Sequence, residues 1–311
     1  MTDRARESDI AFCREIAGRA NANLLHAARL LPPPRQDFFF ASYAAMRLID
    51  DRVDDDFLMR PAPARTETRE LMLQEIDAWE GQCLGHAEQG PLPDPVRRAM
   101  QDIVLVSDLG ETPWRGLADA MRRDVEEREM ADWEDFLSYA EGATVAPATV
   151  FIYLLAAQPG RTGFHCDLPE APVTYAVDLG IFCYLVHILR DLAKDAERSD
   201  RLVTIPQSLL AEAGLEKSGL SEAVRARDPR ISQLAVLVRA RANGHLELGR
   251  QSLARLKPFL GRREYFALSG LIRIYETLFE RFSADFFEGL AAAPELELSL
   301  RADLLNARAE P

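Results

Sequence analysis

Residues 47–57 read RLIDDRVDDDF, and they pack Asp50, Asp51, Asp54, Asp55 and Asp56 into two helical turns just after the apolar run FFFASYAAM at 38–46. Asp50 and Asp54 are four residues apart, as are Asp51 and Asp55, so on an α-helix each pair shares a face. Like charges at that spacing repel by about 0.3 kcal/mol. Taken alone, the stretch also fits a solvated helix end, with Arg47 pairing Asp51 and Arg52 offsetting Asp56.

A second segment has the same design. CYLVHILRDLAKDAERSDR, Cys183 to Arg201, runs from an apolar half into Asp191 and Asp195, again four apart. Two such helices suggest facing partners, and facing carboxylates are costly without cations between them. Carboxylate oxygens suit Mg²⁺, which takes one or two of them and fills its shell with water and phosphate oxygens, so a diphosphate ligand is implied. Arg47, Arg190, Arg201 and Arg273 are available as further countercharge, since guanidinium forks match phosphate geometry. Each of them singly also fits a surface salt bridge. FFFASYAAM, VAPATVFIYLLAA (145–157) and LGIFCYLV (179–186) would then wall a greasy cavity suited to an isoprenoid tail; residue by residue they also fit ordinary core packing.

The rest of the chain bounds this reading. At 311 residues and 48% hydrophobic content a large core can be buried. A formal charge of −13 argues against nucleic acid as a partner, because phosphate backbones need a basic surface. Cys13, Cys83, Cys166 and Cys183 show no CxxC or zinc-like spacing, which fits a reduced, cytoplasmic protein. The start, MTDRARESDI, lacks the apolar core of a signal peptide. The apolar stretches Val145–Ala157 and Leu179–Leu189 fall short of the roughly 20 residues of a bilayer span and are expected as buried helices. A peripheral membrane contact stays open, because an apolar substrate or product would favour one, although no basic amphipathic helix stands out.

Periodicity predicts an all-α chain forming one helical domain over 1–311. A helix over 8–31 should stop at Pro32-Pro33-Pro34. Further helices are expected from Gln36 to about Phe57, then over 67–85, 96–109, 118–129, 133–155 and 171–199, with a loop at the PAPA segment. A short helix opens at Gln207, and two long ones cover 231–256 and 261–290. No alternating β-branched run argues for a sheet, and there is no internal repeat or low-complexity linker.

YAAMRLIDDRVDD (43–55) and LVHILRDLAKDAERSDRLVTIPQ (185–207) resemble the two aspartate-rich motifs of the squalene and phytoene synthases. SYAEGATVA at Ser138 and RIYETLF at Arg273 fall where that family has its central and C-terminal cavity helices, so the likeness spans nearly the whole chain. The resemblance implies the all-α isoprenoid synthase fold, helices around a central apolar cavity, and a Mg²⁺-dependent reaction of allylic diphosphates. It implies that Asp50, Asp54, Asp191 and Asp195 bind Mg²⁺. Tyr43 and Arg47 would lie on the diphosphate side, Arg201 would be an additional diphosphate contact, and Tyr275 would border the reaction cavity. The family couples two prenyl diphosphates head to head, giving squalene after NADPH reduction or phytoene after proton loss; no Rossmann fingerprint is visible, and the family uses none.

The chain departs from the family pattern at three places. Ala20-Asn21 and Asn23-Leu24 stand where His-Ser and then Ser-Phe are usual. Ala143-Thr144-Val145 followed by Pro147 replaces the Val-Ala-Gly run. His187 and Tyr184 replace an amide and a glutamine before the second motif, and His187 reads either as a base or as a core histidine held by Asp191. These departures bear on the product, so a terpene synthase that ionises a single prenyl diphosphate and cyclises or hydrates it is kept as an alternative. A non-catalytic lipid-binding or assembly module is another, and an unrelated transition-metal site at His187, Asp191 and Asp195 is a third. Substrate chain length and oligomeric state are not legible.

Overall fold

The computed structural model describes residues 3–283 and 285–306. α1 (Asp3–Ala20) does not run on to Leu31 as its periodicity predicts. Asn21 adopts a left-handed backbone with φ of 47°, which asparagine tolerates better than most side chains, and the chain restarts as the short α2 (Asn23–Ala28). Prolines then occupy the first turn of α3 (Pro33–Asp51), where a missing N–H costs nothing, so the run expected to stop a helix opens one, α2 having already ended at Ala28. α3 widens at its acidic end into a π-helical turn, Arg52–Phe57.

α4 (Ala62–Cys83) starts inside the PAPA segment expected as a loop, again with proline in its first turn. α5 (Asp94–Ala99) continues into a π turn, Met100–Val104, and α6 (Thr112–Val125) follows. α7 (Trp133–Ala140) and α8 (Ala146–Ala156) are joined by a third π turn, Glu141–Val145. Two strands of two residues each, β1 (Gln158–Pro159) and β2 (Phe164–His165), pair antiparallel; they are too short to leave any alternation in the sequence. α9 (Pro172–Arg198), α10 (Gln207–Glu212), α11 (Leu220–Arg225) and α12 (Pro229–Leu256) come next. The single helix expected over 261–290 is two, α13 (Arg262–Arg281) and α14 (Phe286–Asn306). Asp285 sets the boundary by accepting the Glu288 N–H at 3.0 Å, which satisfies an orphan donor of the new first turn.

α9 is the axis of the bundle, packed by α8, α12 and α13, while α3 lies between α1 and α8. The π turn before α8 passes so close to α6 that a Cβ on Gly142 would sit 2.1 Å from the Gly116 carbonyl oxygen, so only glycine fits. Thr144 Oγ1 donates to the Gly180 carbonyl at 3.1 Å and fastens the same turn to α9. Arg35, buried at the start of α3, pairs with Glu264 of α13 at 3.3 Å and donates to the Leu155 carbonyl of α8 at 3.0 Å. Three helices are thereby fixed at one end of the interior.

By length and composition, residues 133–156 and 172–198 are apolar enough to cross a membrane, a longer reach than the sequence segments imply. Here 72% and 56% of their most apolar windows are buried inside the protein. All four cysteines are free thiols.

Candidate active site

The acidic ends of α3 and α9 open onto one cavity of about 390 Å³. Tyr43, Arg47, Asp50 and Asp54 reach it from α3 and its π turn. Tyr184, His187, Asp191 and Asp195 reach it from α9, and Arg201 and Tyr275 complete the set. Ala143, Pro147, Phe151, Leu179, Leu271 and Ile272 make its apolar walls, so the three segments expected as cavity walls supply part of them. A smaller chamber of about 140 Å³ adjoins it, sharing Tyr43, Arg47, Asp50 and Phe151 and adding Phe39 and Val150.

Two arginines from the sequence reading lie elsewhere. Arg273 is exposed on α13 and does not line the cavity; two residues before Tyr275, it lies on the far side of the helix. Arg190 is turned toward α14 and does not line the cavity either.

Arg47 approaches Asp50 at 2.9 Å and Asp55 at 3.9 Å and also pairs with Asp51, so the contact expected of a solvated helix end coexists with one facing the cavity. Burial raises the Asp50 carboxyl despite Arg47. Asp54 is raised well above the carboxylate range by burial first and then by Asp50 and Asp124. The two aspartate-rich segments meet directly where Arg198 of α9 donates to Asp55 at 2.5 Å.

The second pair is divided. Burial works to raise Asp191, but Arg190 at 2.8 and 2.9 Å and His187 at 2.8 Å outweigh it and hold that carboxyl well below the usual range. Asp195, lacking such donors, is pushed up to about 6 by burial and by Asp191. Tyr184 donates to Thr204 Oγ1 at 3.1 Å, and burial raises the phenols of Tyr184 and Tyr275. Burial likewise takes the Tyr43 phenol to about 12.

Sequence reasoning missed a fifth acid. Asp124 of α6 lines the cavity, accepts a 2.9 Å hydrogen bond from the Tyr139 hydroxyl and is raised to about 7 by burial, against the pull of that bond. The run RRDVEERE hides it as one charge among many. Its spacing was the available signal, for Asp124 follows Leu117 by seven and Met121 by three, on the buried stripe of α6. Lys194, Arg198 and Asp55 also line the cavity.

Among the described residues no three of His, Cys, Asp and Glu converge as a ready-made metal centre. The donor set nevertheless fits a hard divalent cation. Carboxylates on two elements share one cavity, and burial first and neighbouring carboxylates second raise Asp50, Asp54 and Asp195. Mg²⁺ needs only one or two such oxygens when water and phosphate supply the rest.

Residues 18–298 match the family model described as squalene/phytoene synthase. The chain belongs to the squalene/phytoene synthase family. It is 26% identical over 214 residues to a 15-cis-phytoene synthase of Synechococcus elongatus, an alignment covering 68% of this chain and 65% of that protein. It is 25% identical over 210 residues to a phytoene synthase of Rhodobacter capsulatus, covering 68% and 56%. The match thus spans less than two thirds of those relatives' length. Among solved structures, a dehydrosqualene synthase in complex with ligand superposes with a TM-score of 0.70 over 99% of both chains at 17% identity. A squalene synthase from Alicyclobacillus acidocaldarius gives 0.66 over 92% of this chain and 97% of that one at 18% identity. At such identities these two establish the fold, the all-α arrangement around a central cavity that the motifs imply.

Proposed function

We propose that this member of the family is a Mg²⁺-dependent prenyltransferase that joins two prenyl diphosphates head to head into a squalene- or phytoene-type product with release of diphosphate. The observation that carries the reading is the gathering of Asp50, Asp54, Asp191 and Asp195 in one cavity whose other walls are apolar. Those four carboxylates would hold Mg²⁺, which supplies charge to the departing diphosphate. Arg47, Lys194, Arg198 and Arg201 line the same cavity and offer donors to phosphate oxygens. Arg198 pairs with Asp55 at 2.5 Å and Arg201 with Glu129 at 2.7 Å, contacts that hold both charges at the cavity. Phe151, Leu271 and Ile272 keep water from an allylic cation. Tyr43, Tyr184 and Tyr275 bring aromatic surface to the same space, which stabilises a cation through the ring quadrupole.

One observation favours a second reading. His187 and Tyr184 put hydrogen-bonding groups on the α9 wall beside the apolar lining, where they could direct a single ionised chain to cyclise or capture water.

Mass spectrometry of organic extracts separates the readings, with purified protein incubated with farnesyl or geranylgeranyl diphosphate, with Mg²⁺ or chelator, with and without NADPH. A Mg²⁺-dependent C30 or C40 product is expected. A C15 or C20 hydrocarbon or alcohol selects the second reading, and no product from either substrate leaves a lipid-binding module.

A further inference from the structure

The carboxylate of Glu297, on α14, is the hub of a buried cluster that borders the cavity through Asn23. Its Oε1 accepts from Asn23 Nδ2 at 2.6 Å and from Arg190 at 2.7 Å, and Arg301 stands 3.1 Å away. Arg301 donates in turn to Asn23 Oδ1 at 2.6 Å, so the asparagine is clamped at both ends of its amide. Asn23 is 2% exposed and lines the cavity; Glu297 is 8% exposed and does not.

Arg190 is shared between two acids. One face of its guanidinium forks onto Asp191 through Nε at 2.8 Å and Nη2 at 2.9 Å, and Nη1 goes to Glu297. A guanidinium that forks onto Asp191 alone would neutralise the carboxylate that the proposed reaction needs for a cation. A second carboxylate on the far side of the guanidinium divides its charge and weakens its hold on the first.

We propose that Glu297 is a positioning residue that shares Arg190 with Asp191, offsetting part of the guanidinium charge and so leaving that carboxylate better able to hold a divalent cation. It acts through Arg190 and touches neither cavity nor substrate. This inference rests on the metal reading of the four aspartates. It predicts opposite effects for the two partners: loss of the Glu297 charge leaves Arg190 wholly to Asp191, whereas loss of the Arg190 charge frees Asp191. A purely structural cluster would suffer from either change.

The test is Mn²⁺ binding to the full chain, followed by the electron paramagnetic resonance of the free aqueous ion, with circular dichroism to confirm folding. Wild type should bind Mn²⁺ and Asp191→Asn should lose part of that binding. Glu297→Gln should weaken the Asp191-dependent binding about tenfold, a magnitude usual for outer partners of metal ligands, and Arg190→Gln should match or exceed wild type. Wild-type affinity in Glu297→Gln, or a parallel fall in Arg190→Gln, overturns the role of Glu297 and leaves the metal reading standing. Wild-type protein that binds no Mn²⁺ overturns both. Should Glu297→Gln fail to fold, Glu297→Asp, which shortens the reach to Arg190, takes its place: weaker Mn²⁺ binding in Glu297→Asp that disappears as a difference once Arg190→Gln is added supports the role, and an unchanged affinity or a fall that persists without Arg190 overturns it.

Discussion

The Tyr139 hydroxyl donates a 2.9 Å hydrogen bond to Asp124, joining α7 to α6 at the wall of the cavity. The bond favours the ionised acid, yet burial dominates and lifts Asp124 from an ordinary 3.8 to about 7. A carboxyl raised on folding binds more protons in the native state than in the unfolded one. Its penalty is absent below about pH 4, grows as pH rises toward 7 and is constant above. Asp124→Asn keeps an acceptor for Tyr139 and removes that penalty. In chelator, the variant should exceed wild type by ~4 kcal/mol at pH 8 and nearly match it at pH 4. Thermal unfolding curves that differ equally at both pH values would show that Asp124 is ionised without cost.

The four aspartates should not respond alike to neutralisation. Asp54 is buried among like charges, so Asp54→Asn should stabilise the metal-free protein by ~1 kcal/mol while abolishing turnover. Asp191 is held by Arg190 and His187, so Asp191→Asn also abolishes turnover but strips Arg190 of a partner and should cost ~2 kcal/mol. From the sequence the two motifs look equivalent, and both substitutions would be expected to relieve repulsion. Denaturant titration of the metal-free variants separates them, and a stabilised Asp191→Asn would contradict the arrangement around Arg190.

Among the arginines, position in the cavity should decide function. Arg47→Ala should lower kcat/KM by about 100-fold, the usual loss when one donor to a developing anion is removed. Arg273→Ala should leave it within about twofold, because the side chain is exposed and away from the cavity. Steady-state kinetics on the prenyl diphosphate substrate reads both, and equal losses would place Arg273 in the site after all.

Much of the site was legible because charge interrupts an apolar helix conspicuously. Asp50, Asp54, Asp191 and Asp195 stand at the ends of greasy segments, and a fixed spacing betrays them. Asp124 escaped because its apolar neighbours are one helical stripe diluted by a charged run. Arg273 was misplaced because adjacency to Tyr275 in sequence puts the two on different sides of α13. The break at Asn21 depends on one left-handed residue, and the start of α14 on the single cap at Asp285, neither of which disturbs helical periodicity. The π turn after Asp51 lies beyond any pattern of fours.

If two carboxylate pairs work with a divalent cation to let diphosphate leave, the departure itself must need both. Single-turnover release of inorganic diphosphate from farnesyl or geranylgeranyl diphosphate reads this step, using wild type with Mg²⁺, wild type with chelator, and Asp54→Asn with Mg²⁺. Stoichiometric release is predicted in the first case and none in the other two. Release that persists in chelator or in Asp54→Asn, or its absence from wild type with Mg²⁺ and either substrate, would contradict the account.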